Sequence, residues 1–298
     1  MRHPSPVILD NRFRLQSRAG DGGQGQVIEA WDLRDARTVA VKFQHSRAFE
    51  TSESYARYAR EIHDEACTGM SLAGIDGIPS VLHRGMDSGR AYFAMEYVEG
   101  TTLADFIRDN RPLEEHIAAA IIGQLCEILD IVHAQGFVHR DLKPENIMLD
   151  ATGAAWLIDV GLALRMSSTR HDAAGTHGYA APEQYDADSP LTGRTDVFGL
   201  GCVLLEMCRQ TPPFVGLQAR PTLGSTVYPD WMPDTMPTLL RDLAYDMIAL
   251  AEHERPGSAF AVFERLRPAL PTKGDPPPAK VTNPDATAWY RSGRSRWQ

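Results

Sequence analysis

His139-Arg140-Asp141-Leu142-Lys143-Pro144-Glu145-Asn146 is the stretch on which the reading of this chain turns. It sets a Lys and an Asn two and five positions after an Asp. An apolar helical pattern leads into it, with Ile117, Ile121, Leu125, Ile128 and Val132 forming one stripe between Leu113 and Ala134. A strand-like run, Ile147-Met148-Leu149, follows. The octet therefore reads as a short loop between a helix and a strand, with three polar side chains of different chemistry held close together.

The chain has 298 residues, enough for one large domain or for two lobes sharing a cleft. Its 43% hydrophobic and 23% charged content suit a globular protein with a core. A net charge of −9 and a pI near 5.6 offer no broad basic field, so non-specific nucleic-acid binding is disfavoured. Cys67, Cys126, Cys202 and Cys208 form no Cys-x-x-Cys pair and are expected as reduced thiols, not as a disulfide or zinc framework. Met1-Arg2-His3-Pro4-Ser5-Pro6 is not followed by a signal-peptide core. The most apolar stretch, Ala118 to Ala134, is interrupted by Gln124, Glu127 and Asp130 and reads as a soluble core helix. The expectation is a cytoplasmic protein with no membrane anchor of its own.

Phe13 to Val98 alternates short apolar segments with glycine turns. Val27–Trp31, Thr38–Lys42 and Tyr92–Val98 read as strands, and Ser52–Leu72 reads as a helix through Tyr55, Tyr58, Ile62, Ala66 and Met70. Beyond Gly100 the pattern is helical, over Leu103–Asp109, Leu113–Ala134, Val197–Met207, Leu239–Ala251 and Phe260–Leu266. From Pro271 the character changes again. Asp275-Pro276-Pro277-Pro278 breaks regular structure, and Lys273, Lys280, Arg291, Arg294 and Arg296 outweigh Asp275 and Asp285. Residues 271–298 are expected as a Pro-rich, basic, disordered tail, with partner docking through Trp289, Tyr290 and Trp297 as the competing reading.

Gly20-Asp21-Gly22-Gly23-Gln24-Gly25-Gln26-Val27 matches Gly-x-Gly-x-x-Gly-x-Val. A plain hairpin turn satisfies it, and so would a dinucleotide fingerprint if a helix began at the third glycine. Here a strand begins instead. Lys42 ends Val-Ala-Val-Lys fifteen residues after Val27.

Taken together, the octet resembles the catalytic loop of eukaryotic-type protein kinases, and the glycine turn and Lys42 are similar to that family's phosphate-binding end. Leu157-Ile158-Asp159-Val160-Gly161 resembles its Asp-Phe-Gly motif, with Val160 in place of Phe. Gly175-Thr176-His177-Gly178-Tyr179-Ala180-Ala181-Pro182-Glu183 resembles the end of its activation segment. Lys143 and the Gly-Thr-x-Gly-Tyr sequence are similar to the serine/threonine group, and Ala-Pro-Glu-Gln to bacterial members. The resemblance implies an α+β, two-lobed protein kinase fold: a small β-rich N-lobe with one helix, and a larger, mainly α-helical C-lobe. Residues 1–12 would be an N-terminal extension and 13–270 the kinase domain. Its N-lobe would span about 13–96, the hinge 96–100 and the C-lobe 101–270.

The resemblance also assigns roles. Asp141 would orient a substrate hydroxyl and accept its proton late, and Lys143 would neutralise the moving phosphoryl group. Asn146 and Asp159 would hold Mg²⁺, with Mn²⁺ as a substitute, beside ATP. Lys42 would grip the phosphates, held by Glu65 or by Glu61 one turn away; the count back from Ile78-Pro79 favours Glu65 and the count from Lys42 favours Glu61. Gly20, Gly22 and Gly25 would cover the phosphates. Val27, Ala40 and Met148 would sandwich the purine, beyond Met95, and the backbone of Glu96 and Val98 would pair with it. Simple core packing is the plainer account of the apolar positions. Thr176 would bond Asp141 and Lys143, Glu183 would pair with Arg255, and Asp196 would either cap a helix or brace the catalytic loop. Arg140 would await a phosphate on Ser167, Ser168 or Thr169, placed there by autophosphorylation. Val160, with the small Gly69 on the helix, implies a loosely held Lys42–Glu65 pair. The implied partners are proteins bearing Ser or Thr, with a phosphatase counterpart and a dimer left open. A nucleotide- or partner-binding pseudokinase is the main rival, but Lys42, Asp141, Asn146 and Asp159 are all present. A small-molecule kinase of similar fold is disfavoured by the segment Gly175–Glu183.

Overall fold

The computed structural model describes residues 7–22, 25–44, 52–110, 113–166, 168, 172, 174–209, 213–214, 220–221 and 236–298. The chain divides into two compact units, Met1–Gly74 with Ile78–Val98, and Ile75–Gly77 with Glu99–Gln298.

The first unit is a sheet and a helix. Strands β1 (Ile8–Leu9), β2 (Phe13–Gly22), β3 (Gly25–Asp32), β4 (Arg37–Phe43), β5 (Val81–Asp87) and β6 (Arg90–Glu96) form one sheet in the order β1-β2-β3-β4-β6-β5, with every pairing antiparallel. Side chains alternate between its faces, so each strand feeds two clusters. Val39, Val41, Phe43, Tyr92 and Ala94 pack on one side with Leu9 and Phe13. Ala91 and Phe93 pack on the other, against Ile62 and Ala66 of helix α1 (Ser52–Ser71). Lys42 sits opposite Phe93, which puts its side chain on the face that α1 covers. Residues 8 and 9 are not a mere extension, because they pair with Arg14 and Phe13 and bury Leu9.

The second unit is mainly helical. After β7 (Gly100–Thr102) come α2 (Leu103–Asp109), capped by the Thr102 hydroxyl, and α3 (Glu115–Ala134). Helix α3 is long and apolar enough to cross a membrane by length and composition, but most of it is buried inside this unit. Strand β8 (Phe137–Val138) follows and pairs with β11 (Leu164–Arg165). Between them β9 (Ile147–Asp150) and β10 (Ala155–Leu157) make a hairpin, and β7 adds to its β9 edge. Helices α4 (Gly193–Arg209), α5 (Thr238–Met247) and α6 (Ala259–Leu266) complete the core. A Cβ on Gly201 would lie 2.7 Å from Met247 Cβ, so this glycine sets how closely α4 approaches the end of α5.

The expected disordered tail is corrected. Residues 271–298 fold onto the second unit through α7 (Ala288–Arg291), with Ala286, Thr287 and Tyr290 fully buried. Pro276, Pro277, Lys273, Lys280, Arg294 and Arg296, which suggest disorder, stay outside, while Thr282, Pro284, Tyr290 and Ser295 turn inward. Two of the expected phosphoacceptors, Ser167 and Thr169, lie outside the described residues.

Candidate active site

In the first unit, Gly20 pairs with Val27 and Gly22 with Gly25 across a tight antiparallel hairpin. The third glycine opens a strand, which removes the dinucleotide alternative. Val27 is the cross-strand partner of Lys42, and Ala40 that of Met95, so these four residues share one face of the sheet. Lys42 Nζ donates to Glu65 Oε1 at 2.6 Å, with both side chains buried. Glu61 is 58% exposed and pairs with Arg57 on its own helix, so the partner of Lys42 is Glu65. The pair is closed, contrary to the loosely held one expected from Val160 and Gly69. Two charges taken out of water beside Phe93 and Ala66 each need the other. The Glu96 N–H donates to Ser80 O at 3.0 Å, so a ligand would meet the Glu96 carbonyl rather than its amide.

In the second unit, Asp141 is the centre of a closed set of contacts. Its Oδ1 accepts from the Thr176 hydroxyl at 2.6 Å, and its Oδ2 accepts from Asn146 Nδ2 at 2.8 Å. Lys143 Nζ lies 3.0 Å from Asp141 Oδ2 and donates to Thr176 Oγ1 at 2.8 Å. Asp141 and Asn146 are almost wholly buried, and Lys143 is partly exposed. A buried carboxylate with hydrogen bonds at both oxygens is fixed in direction before any substrate arrives.

Beneath this set lies Asp196, in the first turn of α4 and fully buried. It accepts from the backbone N–H groups of His139 and Arg140, both at 2.8 Å, and contacts His133 Nε2 of α3 at 2.8 Å. It braces the loop and is no helix cap. Burial pushes its carboxyl up, but the His133 contact and the other donors outweigh that and hold it below the ordinary range.

Asn146 and Asp159 stand at the two ends of the β9–β10 hairpin. Ile158 N donates to Asn146 O at 3.0 Å, which keeps the ends together. The Asn146 amide NH₂ faces Asp141, which turns its carbonyl oxygen away. Asp159 Oδ1 accepts from Gly161 N at 2.9 Å. One amide oxygen and one carboxylate are hard donors, a set that fits Mg²⁺ completed by phosphate oxygens and water. Met148, expected against the purine, is half-buried on β9, opposite Trp156 and Thr102.

The activation segment is anchored at its far end. Arg255, wholly buried, donates to Glu183 Oε1 at 2.7 Å and to Oε2 at 3.0 Å, a bidentate pair. Arg140 Nη2 donates to Asp172 O at 2.7 Å. Three further residues escaped the sequence reading. Gln184, buried, donates from Nε2 to Arg140 O and Ala174 O, tying the segment to the catalytic loop. Glu206 accepts from the Tyr179 hydroxyl, and burial pushes its carboxyl up. His133 looked like one more residue of an apolar helix. The available signal for Glu206 was one acidic residue in the apolar run Val203–Met207, whereas Gln184 lies among Glu183, Tyr185 and Asp186 and interrupts no apolar pattern.

Comparison with known proteins agrees with this geometry. The family model described as "Protein kinase domain" matches residues 13–264. Serine/threonine-protein kinase PknB of Mycobacterium leprae is 36% identical over 225 residues, covering 71% of this chain and 35% of the relative. PknB of Mycobacterium tuberculosis is 32% identical over 296 residues, covering 95% and 46%. Serine/threonine-protein kinase PknD of Mycobacterium tuberculosis is 35% identical over 206 residues, covering 68% and 30%. The chain thus spans between about a third and a half of the length of these relatives. With the matched domain and the Asp141, Asn146, Asp159 and Lys42–Glu65 arrangements in place, the chain belongs to the protein kinase family and is similar to these mycobacterial serine/threonine-protein kinases.

Proposed function

We propose that this chain is an active serine/threonine protein kinase, transferring the γ-phosphoryl group of ATP to Ser and Thr hydroxyls of proteins. The observation that carries the reading is the joint hold of Thr176 and Lys143 on Asp141. Asp141 presents a carboxylate of fixed direction to an incoming hydroxyl. A carboxylate is a weak base toward an alcohol, so its main contribution is orientation, with the proton transferred late. Lys143, beside it, supplies positive charge where the phosphoryl oxygens pass. Asn146 and Asp159 would hold Mg²⁺, which would supply positive charge to neutralise the phosphate oxygens. Lys42, steadied by Glu65, would contact the α- and β-phosphates, under the backbone of Gly20, Gly22 and Gly25. Val27, Ala40 and Met148 would take the purine, and Glu96 and Val98 its polar edge.

Thr176 would separate hydroxyl-bearing peptide substrates from small alcohols by walling the acceptor site. Ser168, with Ser167 and Thr169, would be an autophosphorylation site that Arg140 receives. Free thiols at Cys67, Cys126, Cys202 and Cys208 suit a reducing compartment, on this reading the cytoplasm. Incubation with Mg·ATP and mapping of phosphate by mass spectrometry, beside Asp141→Ala, tests the reading. Phosphate on Ser and Thr only in the wild-type chain is the expected result. Equal phosphate in both, or none on the chain or a generic protein substrate, would overturn it.

A further inference from the structure

The residues that interrupt the apolar stripe of α3 face the C-terminal segment. Gln124, almost fully buried, accepts from Ala155 N at 2.8 Å and donates to Gly153 O at 3.0 Å and to Ala286 O at 3.1 Å. One amide thus joins α3, the β9–β10 hairpin and the tail. Glu127, buried one turn on, accepts from the Ser295 hydroxyl at 2.7 Å and from Arg296 N at 3.2 Å. Asp130, a further turn on, accepts from the Arg296 guanidinium. These side chains recur every three residues, so each lies beside the next along the helix surface.

The fit is steric as well as polar. A Cβ on Gly123 would lie 2.3 Å from the Tyr290 hydroxyl oxygen, inside contact distance. Gly153, with φ at 81°, tips the hairpin, and a Cβ there would lie 2.0 Å from Asp285 O. A glycine inside α3 costs about 1 kcal/mol relative to alanine, and this one leaves room for Tyr290. Arg294 donates to Thr152 Oγ1 at 3.0 Å on the same hairpin tip, and the Trp297 ring packs edge-on against Phe263 at 4.6 Å. The tail therefore grips the tip of the hairpin whose other end carries Asn146 and Asp159.

We propose that residues 285–298 are an intramolecular docking segment that seats on α3 and the β9–β10 tip and, by fixing the hairpin, positions Asn146 and Asp159. The kinetic part rests on the kinase reading; the docking and its mechanical effect do not. Release of the tail removes the Arg294 bond to Thr152 and the close contact of Asp285 with Gly153, together with the Ala286 bond that helps to hold the Gln124 amide. The hairpin then loses its fixed tip while its two polar ends remain chemically intact.

The test uses the full chain carrying Ser295→Glu, which sets a second carboxylate against Glu127, and in parallel Tyr290→Ala, which empties the pocket beside Gly123. Hydrogen exchange is followed at Arg296 and at Ala155 and Leu157, and phosphoryl transfer is titrated with Mg²⁺. The expected result is release of the tail together with exchange about tenfold faster at Ala155 and Leu157. The Mg²⁺ concentration for half-maximal transfer rises several-fold, and KM for the protein substrate does not change. A released tail with unchanged hairpin exchange would overturn the proposal, and so would an Arg296 amide unprotected in wild type or a tail retained in both variants. An inactive wild-type chain whose hairpin still loosens with the tail would refute the kinase reading and leave this one standing.

Discussion

Asp196 Oδ1 accepts the backbone N–H of Arg140 at 2.8 Å, at a residue whose φ is 71°. A non-glycine residue in the left-handed region costs roughly 1–2 kcal/mol, and here the cost falls one position before Asp141. The carboxylate of Asp196 offsets it by fixing two successive N–H groups, those of His139 and Arg140. Asp196→Ala leaves both donors buried without their acceptor, and a loss of about 3 kcal/mol is expected in urea unfolding, with activity falling further than stability.

The same carboxylate has a defined pH signature. Its folded pKa lies below the ordinary value of 3.8, so its contribution is present above that value and is lost as pH falls through the lower, folded one. The stability gap between wild type and Asp196→Asn is therefore expected to be constant near neutrality and to shrink only below about pH 4, as followed by urea unfolding at a series of pH values.

The Lys42–Glu65 pair makes a different prediction, because both partners are buried. Lys42→Ala removes the cation bonded to the buried Glu65 carboxylate and should cost about 3–5 kcal/mol. Lys42→Met with Glu65→Met should recover most of that stability but no activity. Thermal unfolding and phosphoryl transfer, measured on the single and double variants, separate the structural part of the pair from its chemical part.

Much of this site was legible in the sequence, and the limits have physical causes. The octet, the glycine hairpin and Asp159 are local signals, since each carries its chemistry within a few residues. The choice between Glu61 and Glu65 was not local. It depends on the helical phase of α1 against β4, and the sequence of residues 45–51 offers no periodicity to count. The tail was misread because composition weighs all residues alike. Pro276, Pro277, Arg294 and Arg296 are solvent-facing, while Ala286, Thr287 and Tyr290 are buried. Gln124, Glu127 and Asp130 were noticed only as interruptions of an apolar run; what they meet lies more than 150 residues away for each of the tail contacts.

Arg255 and Glu183 are the long-range clasp of the activation segment, and Arg255 also donates to Ala249 O and Leu250 O. Arg255→Lys keeps the charge but cannot reproduce the fork. It should lose about 2–4 kcal/mol and expose the segment to proteolysis near Gly175, as measured by limited digestion beside the wild type.

Glu127 gives folding stability a pH dependence of the opposite sign to that of Asp196. Burial pushes its carboxyl above the ordinary 4.5, and the Ser295 hydroxyl and the Arg296 N–H pull it back only in part. Arg296 of the tail, Tyr290 of α7, and Asp130 and Cys126 of α3 are the charged or titratable groups around it. A folded pKa raised above the unfolded one means that the contribution of Glu127 to folding stability is fully present below about pH 4.5 and is lost as pH rises through the folded value. The stability of wild type relative to Glu127→Gln, followed by urea unfolding at a series of pH values, should therefore fall with rising pH across that window.

The most direct measurement follows radiolabelled γ-phosphate from Mg·ATP into a generic protein substrate, with the labelled amino acids identified after hydrolysis, for wild type and Asp141→Asn. The expected result is label on Ser and Thr alone, with a rate in Asp141→Asn lower by about 10²–10⁴-fold. Equal rates in the two proteins, or label on Tyr in preference to Ser and Thr, would contradict the account of how Asp141, Lys143 and Thr176 act together.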